Sequence, residues 1–408
     1  MEGNDHMTKS QAAMAFQELS AQLRHEGLLS DVLSVQAALR GDYGEIFFAE
    51  LSGADMTMHE ITTGEEQEMF FHAFYVKPEA KALLLLSGTY APQIAQSMRA
   101  LTAELDDMAQ IVGLTARVAD NLSPEEIARC LRGRNSCFVK DAGMLITGRS
   151  VSEAVTGAIL LEKAAMTHIL AKKIGGAKRV PLFSAALMHF IYQKKYSKIN
   201  LRAETEHAQA ASAPAADLPV QTARESEIRA EIVAYGRRLQ EEGLLQGTWG
   251  NLAVRLDEAH MLCTPSGLDY HMLKPEDIVK VELATLGYGS QRKPTSEKRL
   301  HRDVFAARAD VGAVIHTHAK LCGVFAAARK SICCIEGELR QLVGDEMRCA
   351  GHALPSTKKL SRVALDALGN RNGCLLMNHG VLCCGADLER AYLACKAAEA
   401  AAEQQLGL

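Results

Sequence analysis

The chain has 408 residues, 45 Lys and Arg against 49 Asp and Glu, with 48% hydrophobic and 23% charged residues. A near-neutral balance without a long basic run excludes a binder of the nucleic-acid backbone. The length calls for about two domains, each able to bury a core, and the sequence reads as having no apolar stretch of about 18 residues, so nothing is expected to span a membrane.

In chain order, an amphipathic helix closes at Glu26-Gly27-Leu28-Leu29. Glu68 and His72 follow, ahead of an apolar strand, ALLLLSGT (82–89). The segment RNSCFVKDAGMLITG (134–148) reads as strand, turn and strand, and an Ala-rich helix, EAVTGAILLEKAA (153–165), comes next. Residues 203–224, AETEHAQAASAPAADLPVQTAR, are Ala/Pro/Gln-rich without apolar periodicity, the composition of a flexible linker. The expected organisation is a domain over 1–202, the linker, and a second domain over 225–408.

The second half repeats the first. SEIRAEIVAYGRRLQEEG (226–243) has i, i+3, i+4 apolar spacing and ends in Glu242-Gly243-Leu244-Leu245. Glu297 and His301 keep the spacing of Glu68 and His72 and precede the strand VGAVIHTHA (311–319). RNGCLLMNHGVLCCG (371–385) lies beside 134–148, and another Ala-rich helix (390–402) follows. Four matching segments in one order predict a duplication, each copy a sheet with helices packed on it.

Chemistry concentrates in the second copy. His316 and His318 alternate on one strand face, so their imidazoles project together, and His379 sits in the turn Asn378-His379-Gly380. With Glu297 they form a ligand set for a zinc-like divalent ion. Aligned in register, the first copy has Ser87 at His316, Thr89 at His318 and Ala142 at His379. Joint loss of the three histidines from a recognisable copy points to a shared role, and a metal supplies one. Gly250-Asn251 with Arg255, Thr264-Pro265-Ser266-Gly267, and Pro294-Thr295-Ser296-Glu297 at a helix start offer neutral donors and backbone N–H groups for a phosphate. Val35 stands at the Asn251 position in the first copy.

The 11 cysteines, nine of them after residue 260, form no regular framework. They read as reduced, buried structural thiols, including Cys333-Cys334 and Cys383-Cys384. MEGNDHMTKSQ lacks a secretory pattern, so a cytoplasmic protein is expected.

GNLAVR (250–255), TPSG (264–267), PTSE (294–297), HTH (316–318) and NHG (378–380), in this order and spacing, resemble the class II aldolase/adducin family over residues 225–406. The first half looks like a degenerate copy. The resemblance implies α/β architecture: tandem three-layer α/β/α domains with a mainly antiparallel central sheet. It implies Zn²⁺, or another divalent metal, on His316, His318 and His379, with Glu297 as ligand or acid/base. Substrate phosphate would lie on Asn251, Ser266, Gly267, Thr295 and Ser296. No organic cofactor is implied. The implied reaction cleaves a ketose phosphate through a metal-stabilised enediolate into dihydroxyacetone phosphate and an aldehyde. Epimerase, decarboxylase or dehydratase chemistry at the same site, or a non-catalytic adducin-like role, are the alternatives. The family's aldolases carry a loop tyrosine as proton donor and a tail that closes over substrate. Here Gly337, in SICCIEGELRQLVG (331–344), falls where the tyrosine should be, and the chain ends soon after His379. Glu336, Glu338 or a group of the first copy could replace the donor. The expected partners are a phosphorylated sugar and further copies of the chain, two chains building a four-domain ring, with no nucleic acid and no membrane.

Overall fold

A computed structural model describes residues 7–61, 68–196, 222–290, 292–333 and 335–408, the side chains of residues 195 and 196 excepted. Residues 203–221 of the expected linker lie outside these. Its last residues are structured: Thr222 caps a helix by accepting the Glu225 N–H. The chain divides into two compact units, the first formed by residues up to Ile169 together with 179–193, and the second by 170–178 with the remainder. The division therefore differs from the expected boundary by assigning 170–178 and the residues from Lys194 onward to the second unit.

The first unit comprises α1 (Lys9–His25), β1 (Val35–Arg40), β2 (Ile46–Ser52), β3 (Asp55–Glu60), α2 (Glu68–Val76), β4 (Ala82–Leu86), α3 (Ala91–Ser97), β5 (Ala100–Thr102), α4 (Asp106–Ile111), β6 (Thr115–Ala119), α5 (Pro124–Leu131), β7 (Ser136–Val139), β8 (Gly143–Gly148), α6 (Val151–Ala171) and α7 (Leu182–Ile191). Its eight-stranded sheet has the order β3-β2-β1-β4-β8-β7-β6-β5, antiparallel except between β6 and β7. The second unit comprises α8 (Ala223–Glu241), β9 (Asn251–Arg255), β10 (His260–Cys263), β11 (Val279–Glu282), α9 (Lys298–Ala307), β12 (Ala313–Thr317), α10 (Lys320–Ala328), α11 (Gly337–Val343), β13 (Cys349–Ala350), α12 (Lys358–Leu368), β14 (Gly373–Leu376), β15 (Gly380–Gly385) and α13 (Leu388–Leu406). Its seven-stranded sheet, β11-β10-β9-β12-β15-β14-β13, repeats the first order without the outermost β5 strand, again with one parallel pair, β13 and β14.

The central strands of each sheet are buried along their whole length, as two covered faces require. In the second unit, Ala253, Val314, Leu382 and Cys384 point into one core with Leu300, Val304 and Phe305 of α9 and Leu360 and Leu368 of α12. Helices α8, α10 and α13 pack on the strands from the other face. The result is a three-layer α/β unit with a mostly antiparallel sheet. Both units close their first helix alike: Gly27 and Gly243 each have φ 71°. In each, the next two N–H groups donate to one carbonyl, that of Leu23 or Leu239, the glycine-dependent helix stop that Glu-Gly-Leu-Leu foretold.

Two sequence expectations need correction, on the apolar stretches and on the cysteines. Helix 151–174 is long and apolar enough to cross a membrane, but 78% of its apolar window is buried inside the protein, as in a core helix. The segment between His318 and His379 holds α10, α11, β13 and α12. Cys333 is exposed and Cys349 half-buried, while eight other described cysteines are buried, and all ten are free thiols. Cys334 lies outside the described residues.

Candidate metal centre

Strand β12 brings His316 and His318 out on the face that carries Val314, toward α9 and α12. The neighbouring strand β15 begins just after His379, whose N–H closes a turn onto Leu376 O at 2.9 Å. Asn378 holds this turn in the left-handed region, at φ 59°. Its N–H donates to Ala326 O, and its Nδ2 donates to Lys178 O at 2.7 Å within the same unit. Two glycines permit the close approach. A Cβ on Gly250 would meet the His316 carbonyl oxygen at 2.7 Å, and one on Gly380 would meet the Thr317 carbonyl oxygen at 2.4 Å.

The three rings converge. Centroid separations are 4.9 Å for His316–His318 and His316–His379, and 4.8 Å for His318–His379. One ligand atom from each lies within 4.8 Å of the others, and all three residues are buried. His316 Nδ1–H donates to Val381 O at 2.9 Å, which leaves Nε2 as the lone-pair nitrogen. That Nε2 lies 3.1 Å from His379 Nε2 and 3.3 Å from Glu297 Oε2. Glu297 Oε1 is 3.5 Å from His379 Nε2, and it is buried without a hydrogen-bond partner. Two ring nitrogens and a carboxylate thus face one point, an arrangement that positive charge satisfies and neutral packing does not. The residues present fit a divalent ion.

Glu297 is the residue before α9, and its side chain is fixed from the opposite side. Asn251 Nδ2 donates to Glu297 Oε2 at 3.2 Å, and Asn251 Oδ1 lies 2.5 Å from His301 Nε2. Burial alone pushes the Glu297 carboxyl up. The His316 and His379 rings and the Asn251 amide more than reverse this and hold it well below the usual carboxylate range. Burial also pushes His301 down to about 4, so that ring is neutral.

The structure lays the two hydroxyl motifs side by side. Ser266 N–H donates to Lys293 O and Thr295 N–H to Thr264 O, flanking a bridge between Pro265 and Pro294. Thr295 Oγ1 accepts the Glu297 N–H at 3.2 Å and Thr264 Oγ1 accepts the Leu252 N–H at 3.2 Å. Ser266, Gly267 and Ser296 stay partly open to solvent, and Gly267 turns the chain at φ 75°. Two members of the expected anion group are otherwise engaged. The Asn251 amide is held by Glu297 and His301. The Arg255 guanidinium donates to the carbonyls of Val311, Phe305 and Arg308. Glu336, Gly337 and Glu338 are all exposed.

The first unit shows what replaces the site. Arg40 N–H bonds Lys81 O as Arg255 N–H bonds Gly312 O, and Leu86 pairs with Met144 as Thr317 pairs with Val381. These registers put Leu85 at His316, Ser87 at His318, Gln36 at Asn251 and Ala142 at His379. The sequence register, with Ser87 at His316, Thr89 at His318 and Val35 at Asn251, was therefore displaced by two residues on the central strand and one on its neighbour. A two-residue slip keeps every side chain on its face, so alternation could not reveal it. Leu85 lies in the apolar core with Phe70 and Ile127, and Ala142 packs against it. Among the described residues, the histidine trio of the second unit is the one such ligand group.

His301 received no role from the sequence, although its spacing from Glu297, one helical turn, placed both on one face. A family model described as Class II Aldolase and Adducin N-terminal domain matches residues 42–169 and 230–406. The 5-methylthioribulose-1-phosphate/5-deoxyribulose-1-phosphate aldolase of Rhodospirillum rubrum is 38% identical over 177 residues, which span 43% of this chain and 79% of that protein. The L-fuculose phosphate aldolase of Escherichia coli K12 is 36% identical over 152 residues, 36% of this chain and 68% of its own. The methylthioribulose-1-phosphate dehydratase of Pectobacterium carotovorum is 34% identical over 173 residues, 37% of this chain and 80% of its own. With the family model matching most of its length in two segments, the chain belongs to the class II aldolase and adducin N-terminal domain family.

Proposed function

We propose that the chain is a divalent-metal-dependent carbon–carbon lyase that cleaves a ketose 1-phosphate into dihydroxyacetone phosphate and an aldehyde. The observation that carries this reading is the convergence of His316, His318, His379 and the charged, buried Glu297 on one point. The substrate class is supported by relatives whose names specify 5-methylthioribulose-1-phosphate, 5-deoxyribulose-1-phosphate and L-fuculose phosphate.

Zinc or another divalent ion on His316, His318 and His379 would supply Lewis-acid polarisation of the substrate's carbonyl and adjacent hydroxyl. Ser266, Gly267, Thr295 and Ser296 would hold the phosphate, with Thr295 also bonded to the backbone of Glu297. Asn251 would join this group to the carboxylate. As the C–C bond breaks, the hydroxyl that becomes the aldehyde loses its proton and the electron pair stays on the ketose-derived carbon; the Glu297 carboxylate would take up that proton and pass it to this carbon. Burial of Glu297 keeps bulk water from competing for that proton.

A second reading, dehydration of a similar substrate, is favoured by the dehydratase relative and by Gly337 at the position expected for a proton-donating tyrosine. Product analysis on ketose 1-phosphates separates the two: triose phosphate plus aldehyde supports cleavage, and a product differing by loss of water supports dehydration. Metal binding without turnover of any phosphorylated sugar would point to an assembly role.

We further infer that the units are tandem copies with one working site. A strand order shared over seven strands, matching helix stops and a family model that fits both segments support this. The first copy would occupy a neighbour's place, two chains making a four-domain ring in the cytoplasm. Light scattering that finds a fully active monomer would refute the ring.

A further inference from the structure

We propose that His301 is a positioning residue for this reaction, its Nε2–H fixing the Asn251 amide so that an N–H, not a carbonyl oxygen, faces Glu297. The inference rests on the reading of Glu297 as the acid/base. His301 lies on α9, wholly buried, with Nε2 2.5 Å from Asn251 Oδ1. Its Nδ1 is buried without a hydrogen-bond partner, so Asn251 is what the ring's polar edge serves.

Only one assignment of the amide is consistent with its neighbours. Asn251 presents Nδ2 to Glu297 Oε2 at 3.2 Å, and that oxygen is the acceptor. Its oxygen then faces His301, which must donate. A ring protonated at Nδ1 instead would offer Asn251 a lone pair, favour the flipped amide, and set two acceptors against each other at Glu297. The tautomer of His301 therefore decides which end of Asn251 meets the carboxylate, two side chains away.

The first unit again serves as a control. Glu68 and His72 keep the same spacing, but Glu68 is exposed, His72 is half-buried, and they meet each other directly at 3.5 Å. Gln36, at the strand position of Asn251, donates instead to Glu50 at 3.0 Å. Where the three histidines are absent, the histidine–amide–carboxylate chain is absent too.

A double-mutant cycle on the full chain tests the proposal. His301→Phe keeps the volume and removes the donor. It should lower kcat about 10- to 100-fold, as loss of a supporting partner of a site does, while metal content and KM stay within about twofold. His301→Gln, which restores an N–H donor, should recover most of the loss. Added to Asn251→Leu, His301→Phe should cost nothing further in kcat, because the link is already cut. Unchanged kcat in His301→Phe, equal losses in both backgrounds, or no rescue by His301→Gln would overturn the assignment. Nitrogen-15 NMR of histidine-labelled protein gives an answer independent of turnover. A neutral Nε2–H tautomer at His301 that is perturbed by Asn251→Leu supports the link, and an Nδ1–H tautomer refutes it. If no ketose 1-phosphate is turned over, the proposed function fails while this spectrum still decides the His301–Asn251 link.

Discussion

Gly380→Ala tests how tightly the metal centre depends on the spacing of two strands. A Cβ there would sit 2.4 Å from the Thr317 carbonyl oxygen and 3.0 Å from His316 Cε1. The nearer atom is backbone, so no side chain can swing aside, and β12 and β15 would have to part by about 1 Å to reach ordinary contact. Overpacking of this kind costs about 1–3 kcal/mol of stability. The functional cost should exceed it, because His316 and His379 meet across this seam with their Nε2 atoms 3.1 Å apart. A displacement of about 1 Å in such a constellation lowers activity about 100-fold. Metal content after gel filtration, thermal unfolding with and without added zinc, and triose phosphate release measure the three effects. Gly289→Ala, at a position with open space around it, serves as control. A Gly380→Ala protein with the metal content, melting temperature and rate of the control would refute the steric reasoning.

Further expectations concern single side chains. His379→Ala should leave purified protein essentially free of metal and inactive, by mass spectrometry of the metal and product assay. Glu297→Gln keeps the shape, so metal should remain while turnover falls about 10²- to 10⁴-fold, the range for removal of a positioned acid/base. Ser296→Ala should raise KM for the phosphorylated ketose about 10-fold and leave kcat nearly unchanged, as loss of a hydrogen bond to a charged group does. Glu225 carries a pH signature: burial pushes its carboxyl up, but Arg229 at 2.7 Å and Lys280 at 3.1 Å bring it below its ordinary 4.5. A lowered folded-state value stabilises the fold above the unfolded value and is lost as pH falls through the folded one. Melting temperature should drop on acidification below about pH 4.5, and less steeply in Glu225→Gln. Parallel curves for the two proteins would contradict the assignment.

Much of the site was legible because its chemistry is local in sequence. His316 and His318 lie two residues apart on one strand, and alternation alone puts them on one face. Asn378-His379-Gly380 and Thr264-Pro265-Ser266-Gly267 are turns whose Gly and Asn content signals their shape. What stayed hidden depends on contacts between distant elements. The His301–Asn251 link joins residues fifty positions apart, and no periodicity reports it. Nor did composition show that Asn251 and Arg255, on one short strand, would be engaged by protein groups rather than left for an anion. The register of the first unit's central strand was missed for the reason that fixes strand faces: steps of two leave the pattern unchanged. Helix 151–174 illustrates the converse, since its apolar length is visible in sequence while its burial is a tertiary fact.

The most direct test of the account is metal stoichiometry combined with cleavage. Purified chain should hold one divalent ion per chain, release dihydroxyacetone phosphate and an aldehyde from a ketose 1-phosphate, lose that activity to a chelator and regain it with zinc. Two ions per chain would contradict the single working site. Metal-free protein that cannot be reloaded, or that still cleaves the substrate, would contradict the metal centre.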